Sequence, residues 1–531
     1  MNVSGRSSMQ RLEVYTENPF YFYDRDRGHP IFLSGQVVWT SISTPRLWYS
    51  HSPLAFQEGQ TNKDDPILDP DKVIAYLASK GGNCCRLTTL YGSAPPGETP
   101  GPVCYPWAHA TASTEGHNGR TRYDLLAFNQ TYWQRFRHYL RLLEKYGIRV
   151  ILEVFPNLWG YQTLPLHPDN NVNYTTEDLP GTQYWYRTVR GGSEKVLRVQ
   201  EAFVRKVVLE SLPFRNVLYL INNQYGSPAE LSGMESEEIE KFFGDPDQAL
   251  AWPRYWAKLI KEIGRAHGET LLVSTMPRFH SAHFPLAEQY QWFVDEELFD
   301  FIDAGWWQLH PFHEEYEIRE TKWMQEFDDI PLRDRVRLFA ESLRSWYNYQ
   351  VTRKKAKPLV LSKALFWDGV QRHSPWPMWV AFTSGFALAS PHEPMSRSYW
   401  HAPRYEPTAN VVGHLHRFVN ESEIEFWKMK PTSEIAFGLD QDAYVLANPG
   451  EEYVVYLVGE AKGPLLIRLL EGEYIIEYYD PKVGQWIDTR MVAGGDSEVF
   501  VHKYYSELAL LIQRKEKREA IMGVEFPQEA P

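Results

Sequence analysis

From residue 30 to about residue 420, short apolar runs alternate with longer segments whose apolar positions recur at helical spacing. The runs at 30–35, 83–88, 149–155, 216–223, 270–275, 299–304, 358–364 and 386–390 read as strands. The segments at 71–77, 131–146, 196–212, 247–266, 332–350, 375–384 and 407–420 read as helices. This repeated β/α alternation predicts an α/β fold, a (β/α)8 TIM barrel, whose functional residues come from the segments after each strand. A doubly wound open sheet is the competing fold, but no glycine-rich phosphate loop follows the first strand.

Beyond residue 423 the helical spacing gives way to consecutive short strands at 443–447, 453–457, 464–468, 474–479 and 507–512. Turns such as Asn448-Pro449-Gly450 and Asp480-Pro481-Lys482-Val483-Gly484 separate them, a spacing that predicts a small antiparallel β-sandwich. The expected organisation is an N-terminal extension at 1–18, the barrel at 19–422, the sandwich at 423–515 and a charged tail at 516–531. A chain of 531 residues exceeds the roughly 250–300 residues at which single cores stop growing, which agrees with two units.

Composition narrows the partners. A net charge of −13 argues against nucleic acid and against anionic membrane surfaces. No apolar run reaches membrane-spanning length, and the polar stretch from Met1 to Glu17 has no signal-like apolar region. The expected product is therefore soluble, and either cytoplasmic or secreted after removal of a signal. Cys84, Cys85 and Cys104 cannot build a disulfide framework, so buried free thiols are preferred over a metal or redox site. No spacing of histidine, cysteine and carboxylate implies a metal or other cofactor. Aromatic residues make up 15% of the chain, including 19 Trp and 32 Tyr, a surplus that suits stacking on sugar rings and equally suits a tryptophan-rich core.

One ionisable residue stands out without reference to any family. Glu153 lies mid-strand in Ile151-Leu152-Glu153-Val154-Phe155, so it must point into the barrel or be buried unpaired at high cost.

Several stretches together resemble the clan A glycoside hydrolases. They are Asn18-Pro19-Phe20-Tyr21-Phe22 leading to 30–35, Asn83-Cys84-Cys85-Arg86-Leu87, the run 199–208, and Asn216-Val217-Leu218-Tyr219-Leu220-Ile221-Asn222-Asn223. The nearest branch is that of apiosidase-like barrels with a C-terminal collagen-binding-type β domain, which Tyr474–Trp486 is similar to. The resemblance implies a carbohydrate substrate, an acid/base carboxylate after Asn at the end of the fourth strand, and a nucleophile ending the seventh. Asn223 fits, but Gln224 follows it, and an amide hydrogen-bonds a glycosidic oxygen without being able to protonate it. Lys363 falls where the nucleophile is expected, and Arg86 matches the arginine that braces the nucleophile in the clan.

Hydrolysis would then need carboxylates from elsewhere on the same face. Asp368 in Phe366-Trp367-Asp368-Gly369 and Glu393 in Pro391-His392-Glu393-Pro394 are the first candidates, with Asp303 and Glu153 behind them. Asp368, Glu393 and Asp303 each have a surface or capping role as alternative, and Glu153 a structural pairing with Arg86. Trp39, Trp159, Trp307, Trp367 and Trp376 follow strands and are candidate sugar platforms, and His310 is a candidate for orienting a hydroxyl. The expected function is a glycoside hydrolase with non-standard catalytic residues, and the alternative is a carbohydrate-binding barrel that has lost hydrolysis.

Overall fold

Runs such as Arg149–Phe155 and Val217–Asn222 are buried at every position, as strands covered on both faces must be. They belong to a computed structural model that describes residues 9–38, 42, 70–90, 104–111, 121–155, 161, 164–223, 225, 235–277, 286–305, 331–353, 356–364, 374–391, 406–438, 442–459, 465–499 and 507–523. Eight strands form the central sheet: β1 (Leu33–Val38), β2 (Cys84–Thr88), β3 (Arg149–Phe155), β4 (Val217–Asn222), β5 (Val273–Ser274), β6 (Ile302–Asp303), β7 (Leu359–Ala364) and β8 (Leu388–Pro391). Their order is β5-β4-β3-β2-β1-β8-β7-β6, with every pair parallel. Neighbours in sequence are therefore neighbours in space, and β1 joins β8: the protein is a nearly closed parallel barrel.

A helix follows each strand: α1 (Pro70–Ser79), α2 (Gln130–Lys145), α3 (Glu194–Ser211), α4 (Pro246–Ala266), α5 (Leu286–Asp295), α6 (Leu332–Val351), α7 (Trp376–Thr383) and α8 (Glu406–Glu421). Helix α2 shows why. Asn129 caps it by accepting from the Thr131 amide, and Tyr132, Phe136, Tyr139 and Leu143 recur at three- and four-residue steps to line the buried face. Helix α4 starts on the Asp245 side chain, which accepts from the Gln248 amide, with Pro246 in the first turn where its missing N–H costs nothing. No helix among the described residues is long and apolar enough to cross a membrane.

The barrel closes at β5 and β6 through side chains. Both strands are only two residues long, shorter than the runs at 270–275 and 299–304 suggested. The Asp300 amide donates to the Val273 carbonyl at 2.8 Å, and the Asp300 carboxylate accepts from the Val273 amide at 2.8 Å. Ser274 Oγ donates to the Phe301 carbonyl at 2.6 Å, and Lys261 of α4 reaches Asp300 at 2.7 Å. A carboxylate thus occupies the place of a strand partner.

Next to this seam Lys357 is buried and donates to the Glu296 carbonyl. Burial pulls its amine down to about 8, against the nearby carboxylates of Glu296, Asp300 and Asp295 that raise it. The folded state therefore prefers neutral Lys357, and stability should rise as pH increases from about 8 toward the ordinary lysine value. Urea midpoints across that window should rise more steeply for the native chain than for Lys357→Met; equal slopes would show that Lys357 is not the group responsible.

The cysteines are free thiols, with Cys84 and Cys85 buried in β2 and Cys104 partly exposed. Burial pushes the Cys84 thiol up to about 12 and raises Cys85 well above the usual range, so both stay protonated and unreactive.

The C-terminal strands are β9 (Asp442–Asn448), β10 (Glu452–Val458), β11 (Leu465–Asp480), β12 (Gln485–Val499) and β13 (Glu507–Arg514). With the short strands Lys430–Pro431 and Ala436–Gly438 they form one antiparallel seven-stranded sheet. Leu465, Ile467 and Leu469 share a core with Tyr474, Ile476 and Tyr478, so the inward face of β11 changes from odd to even positions. The register irregularity between Leu469 and Glu473, at Gly472 with φ 147°, accounts for the change. Strands β9, β10 and β13 contribute Val445, Val455 and Leu510 to this core and turn Leu446, Tyr456 and Leu511 toward the barrel. There Trp379 of α7 stacks on Tyr456 at 5.4 Å. Where the sequence suggested a charged tail, Lys515–Met522 forms helix α9, with Lys517 on Glu425 and Glu452 and Arg518 on Glu477.

Candidate functional site

Polar side chains inside an apolar barrel must find partners in one another, and at the C-terminal ends of the strands they do. Arg86 of β2 donates to Glu153 of β3 through Nη2 at 2.8 Å and Nε at 3.2 Å. Thr88 Oγ1 adds a bond to the same Glu153 oxygen at 3.2 Å. On its other side Arg86 Nη1 donates to Ser362 Oγ of β7 at 2.9 Å, and Ser362 Oγ donates to Asp303 Oδ2 of β6 at 2.5 Å. The chain Glu153–Arg86–Ser362–Asp303 therefore crosses the barrel and ties four strands together.

Asp303 is fully buried and also accepts from the amides of Gly305 at 3.1 Å and Ser362 at 3.4 Å. Burial raises its carboxyl, while Arg86 and these donors pull the other way. Gly305 leaves room for this arrangement, since a Cβ there would meet Met276 Cε at 2.8 Å and the Asp303 oxygen at 3.1 Å.

Above this network the ends of β4 and β7 meet. Lys363 Nζ donates to Asn223 Oδ1 at 2.6 Å, with both residues buried. Ser362 and Lys363 are consecutive, yet both engage interior groups. The register of β7 against β8 shifts between Leu361 and Ala364, an irregularity of the kind that re-aims a side chain beside a site. Beside Asn223, Asn222 Oδ1 accepts from Thr275 Oγ1 at 2.7 Å.

Of the residues expected at the site, Arg86, Glu153, Asn223, Asp303 and Lys363 converge in this region. Glu153 and Asp303 are buried and held inside the barrel by these bonds. Trp376 does not join the site: it begins α7, is buried, and packs edge-on against Phe339 at 5.2 Å, so the apolar core takes its ring. Gln224, Trp39, Trp159, Trp307, His310, Trp367, Asp368 and Glu393 lie outside the described residues. Trp107, Trp133, Trp185, Trp252, Trp256, Trp346 and Trp379 are fully buried, so much of the tryptophan surplus is core. Ser362 and Thr88 escaped the sequence reading. The signal that singled out Glu153, a polar side chain inside a buried strand, marks Ser362 in Leu359-Val360-Leu361-Ser362 as well.

No family model and no curated protein matches this chain. Solved structures do. One glycoside hydrolase aligns with a TM-score of 0.57 at 13% identity, covering 96% of this chain and 97% of its own. A glycoside hydrolase family 5 protein from Bacteroides vulgatus aligns with a TM-score of 0.56 at 12% identity, covering 98% and 96%. The alignments run through the barrel and the β domain alike, and at such identities they establish a common fold: this chain has the architecture of these glycoside hydrolases.

Proposed function

We propose that the protein is a glycoside hydrolase that takes a β-linked oligosaccharide at the C-terminal mouth of the barrel and cleaves it with carboxylates carried beyond β7 and β8. The observation behind this reading is the register of those two strands. Ala364 of β7 pairs with Pro391 of β8, so the chain leaves adjacent strand ends toward Asp368 and Glu393, four and two residues on. In this reading Asp368 is the nucleophile or base and Glu393 its partner. Lys363 is proposed to bind the sugar beside Asn223. Asn223 and Gln224 hydrogen-bond the sugar, and Trp39, Trp159, Trp307, Trp367 and His310 are proposed as further contacts.

The affinity we propose within clan A is with the apiosidase-like branch, with residues 19–422 as the barrel and 423–515 as the β domain. Carbohydrate is the proposed partner, and the net charge of −13 disfavours nucleic acid. A second reading, sugar binding without hydrolysis, is favoured by Gln224 and Lys363, which stand where the clan carries its acid and its nucleophile and replace both carboxylates.

Calorimetric titration with xylan, glucan, mannan and arabinan oligomers is expected to show binding to at least one. Folded protein that binds none would sink both readings.

A further inference from the structure

Away from the barrel floor, two arginines stand together with donors that meet no acceptor among the described residues. Residues Thr182–Arg190 form a 3-10 helix in the connection from β3 to α3. It is tied to α3 and α4. Gln200 of α3 accepts from Thr188 Oγ1 at 2.6 Å and donates to the Trp185 carbonyl at 2.8 Å, while Tyr186 packs edge-on against Trp252 of α4 at 4.9 Å. Residues three apart eclipse one another in such a helix, so Arg187 and Arg190 project from one side.

Both guanidinium groups stand against the same Phe242 ring, at 4.0 and 5.9 Å from its centre, and Arg187 also lies 4.4 Å from the Tyr184 ring. The rings engage the cationic faces but accept nothing from the N–H edges. Arg187 uses Nη1 on Glu238 at 3.4 Å, and Arg190 uses Nη1 on the Phe242 carbonyl at 2.7 Å. Nε and Nη2 of both residues are buried, and among the described residues no acceptor reaches them. The Arg187 side chain is only 9% exposed.

Nε and Nη2 form the edge of a guanidinium that binds carboxylate, sulfate or phosphate through two parallel bonds. Two such edges, on two like charges beside one long contact to Glu238, meet no acceptor among the described residues. We infer that Arg187 and Arg190 form a binding site for an oxyanion, either free in solution or carried as an acidic substituent on a glycan. The inference does not depend on hydrolysis, and its failure would leave the proposed function untouched.

The test follows thermal unfolding of the full chain in sodium sulfate, sodium phosphate and a glucuronate-bearing oligosaccharide, against sodium chloride at matched ionic strength. A saturable rise in Tm with at least one of the three, not reproduced by chloride, is expected. Arg190→Gln, and Arg190→Lys which keeps the charge without the two-pronged edge, should weaken the apparent affinity about tenfold or more. Stabilisation by the inorganic anions alone identifies a free-anion site, and stabilisation by the oligosaccharide identifies the glycan substituent. As a check that needs no variant, the same ligand should protect Arg187 and Arg190 of the native chain from phenylglyoxal, read by peptide mass. A response equal to that in chloride, or one that both variants retain together with unprotected arginines, would overturn the inference.

Discussion

Replacing Arg86 by methionine is expected to lower the unfolding free energy on the order of 3–5 kcal/mol, the usual consequence of removing one partner from a buried ion pair. Glu153 is 1% exposed and would keep only Thr88 as a side-chain donor among the described residues, and Ser362 would lose the donor that holds its hydroxyl toward Asp303. The cost comes from the stranded carboxylate rather than from the pair's own attraction. Arg86→Met combined with Glu153→Leu should therefore recover much of the loss, because replacing both charges by apolar groups is often close to neutral. Urea unfolding of the native chain and the two variants checks this. A single variant less than about 1 kcal/mol weaker than the native chain would mean the network does not hold the floor.

Asp368→Asn is expected to reduce hydrolysis by a factor on the order of 10² or more, as does removal of a positioned acid–base group or nucleophile. Glu393→Gln should have an effect of similar size. Asp303→Asn should act differently. Asp303 is enclosed and touches Ser362 and Gly305, so its loss should reach the rate only through the position of Arg86 and Ser362, and should register first in the urea midpoint. Gln224→Glu separates the two readings further. In an enzyme working through Asp368 and Glu393 it leaves the rate similar or perturbs it by adding a like charge, whereas in a binding protein it leaves hydrolysis nil, since Lys363 still holds the nucleophile's place. Full rates in both Asp368→Asn and Glu393→Gln would remove the assigned chemistry.

Much of the barrel could be read from residues alone, because buried parallel strands are apolar at most positions and their helices are not. Glu153 was legible for the same reason: a carboxylate inside Ile151-Leu152-Glu153-Val154-Phe155 needs a partner within the barrel, and Arg86 on the adjacent strand supplies it. What remained hidden depends on register and on side chains replacing backbone. Asp300 takes the place of a strand partner at the β5–β6 seam, which no hydrophobic pattern announces. The irregularity in β7 lets Lys363 as well as Ser362 engage the interior, although strict alternation would send consecutive residues to opposite faces. The register irregularity in β11, which moves its inward face from odd to even positions around a second core, is likewise not announced by the spacing of the β domain's strands. Trp376 followed a strand and looked available to a ligand; the packing of α7 against Phe339 put it in the core instead.

The central claim, that a glycosidase barrel lacking carboxylates at the ends of β4 and β7 still cleaves glycosides, is tested most directly by reducing-sugar release. The measurement incubates the native chain and Asp368→Asn with whichever xylan, glucan, mannan or arabinan oligomer binds in the calorimeter. The account predicts turnover by the native chain and a loss of about 10²-fold or more in the variant. Binding without any release by the native chain, over times long enough to detect a rate far below that of ordinary glycosidases, would contradict it and leave a sugar-binding barrel.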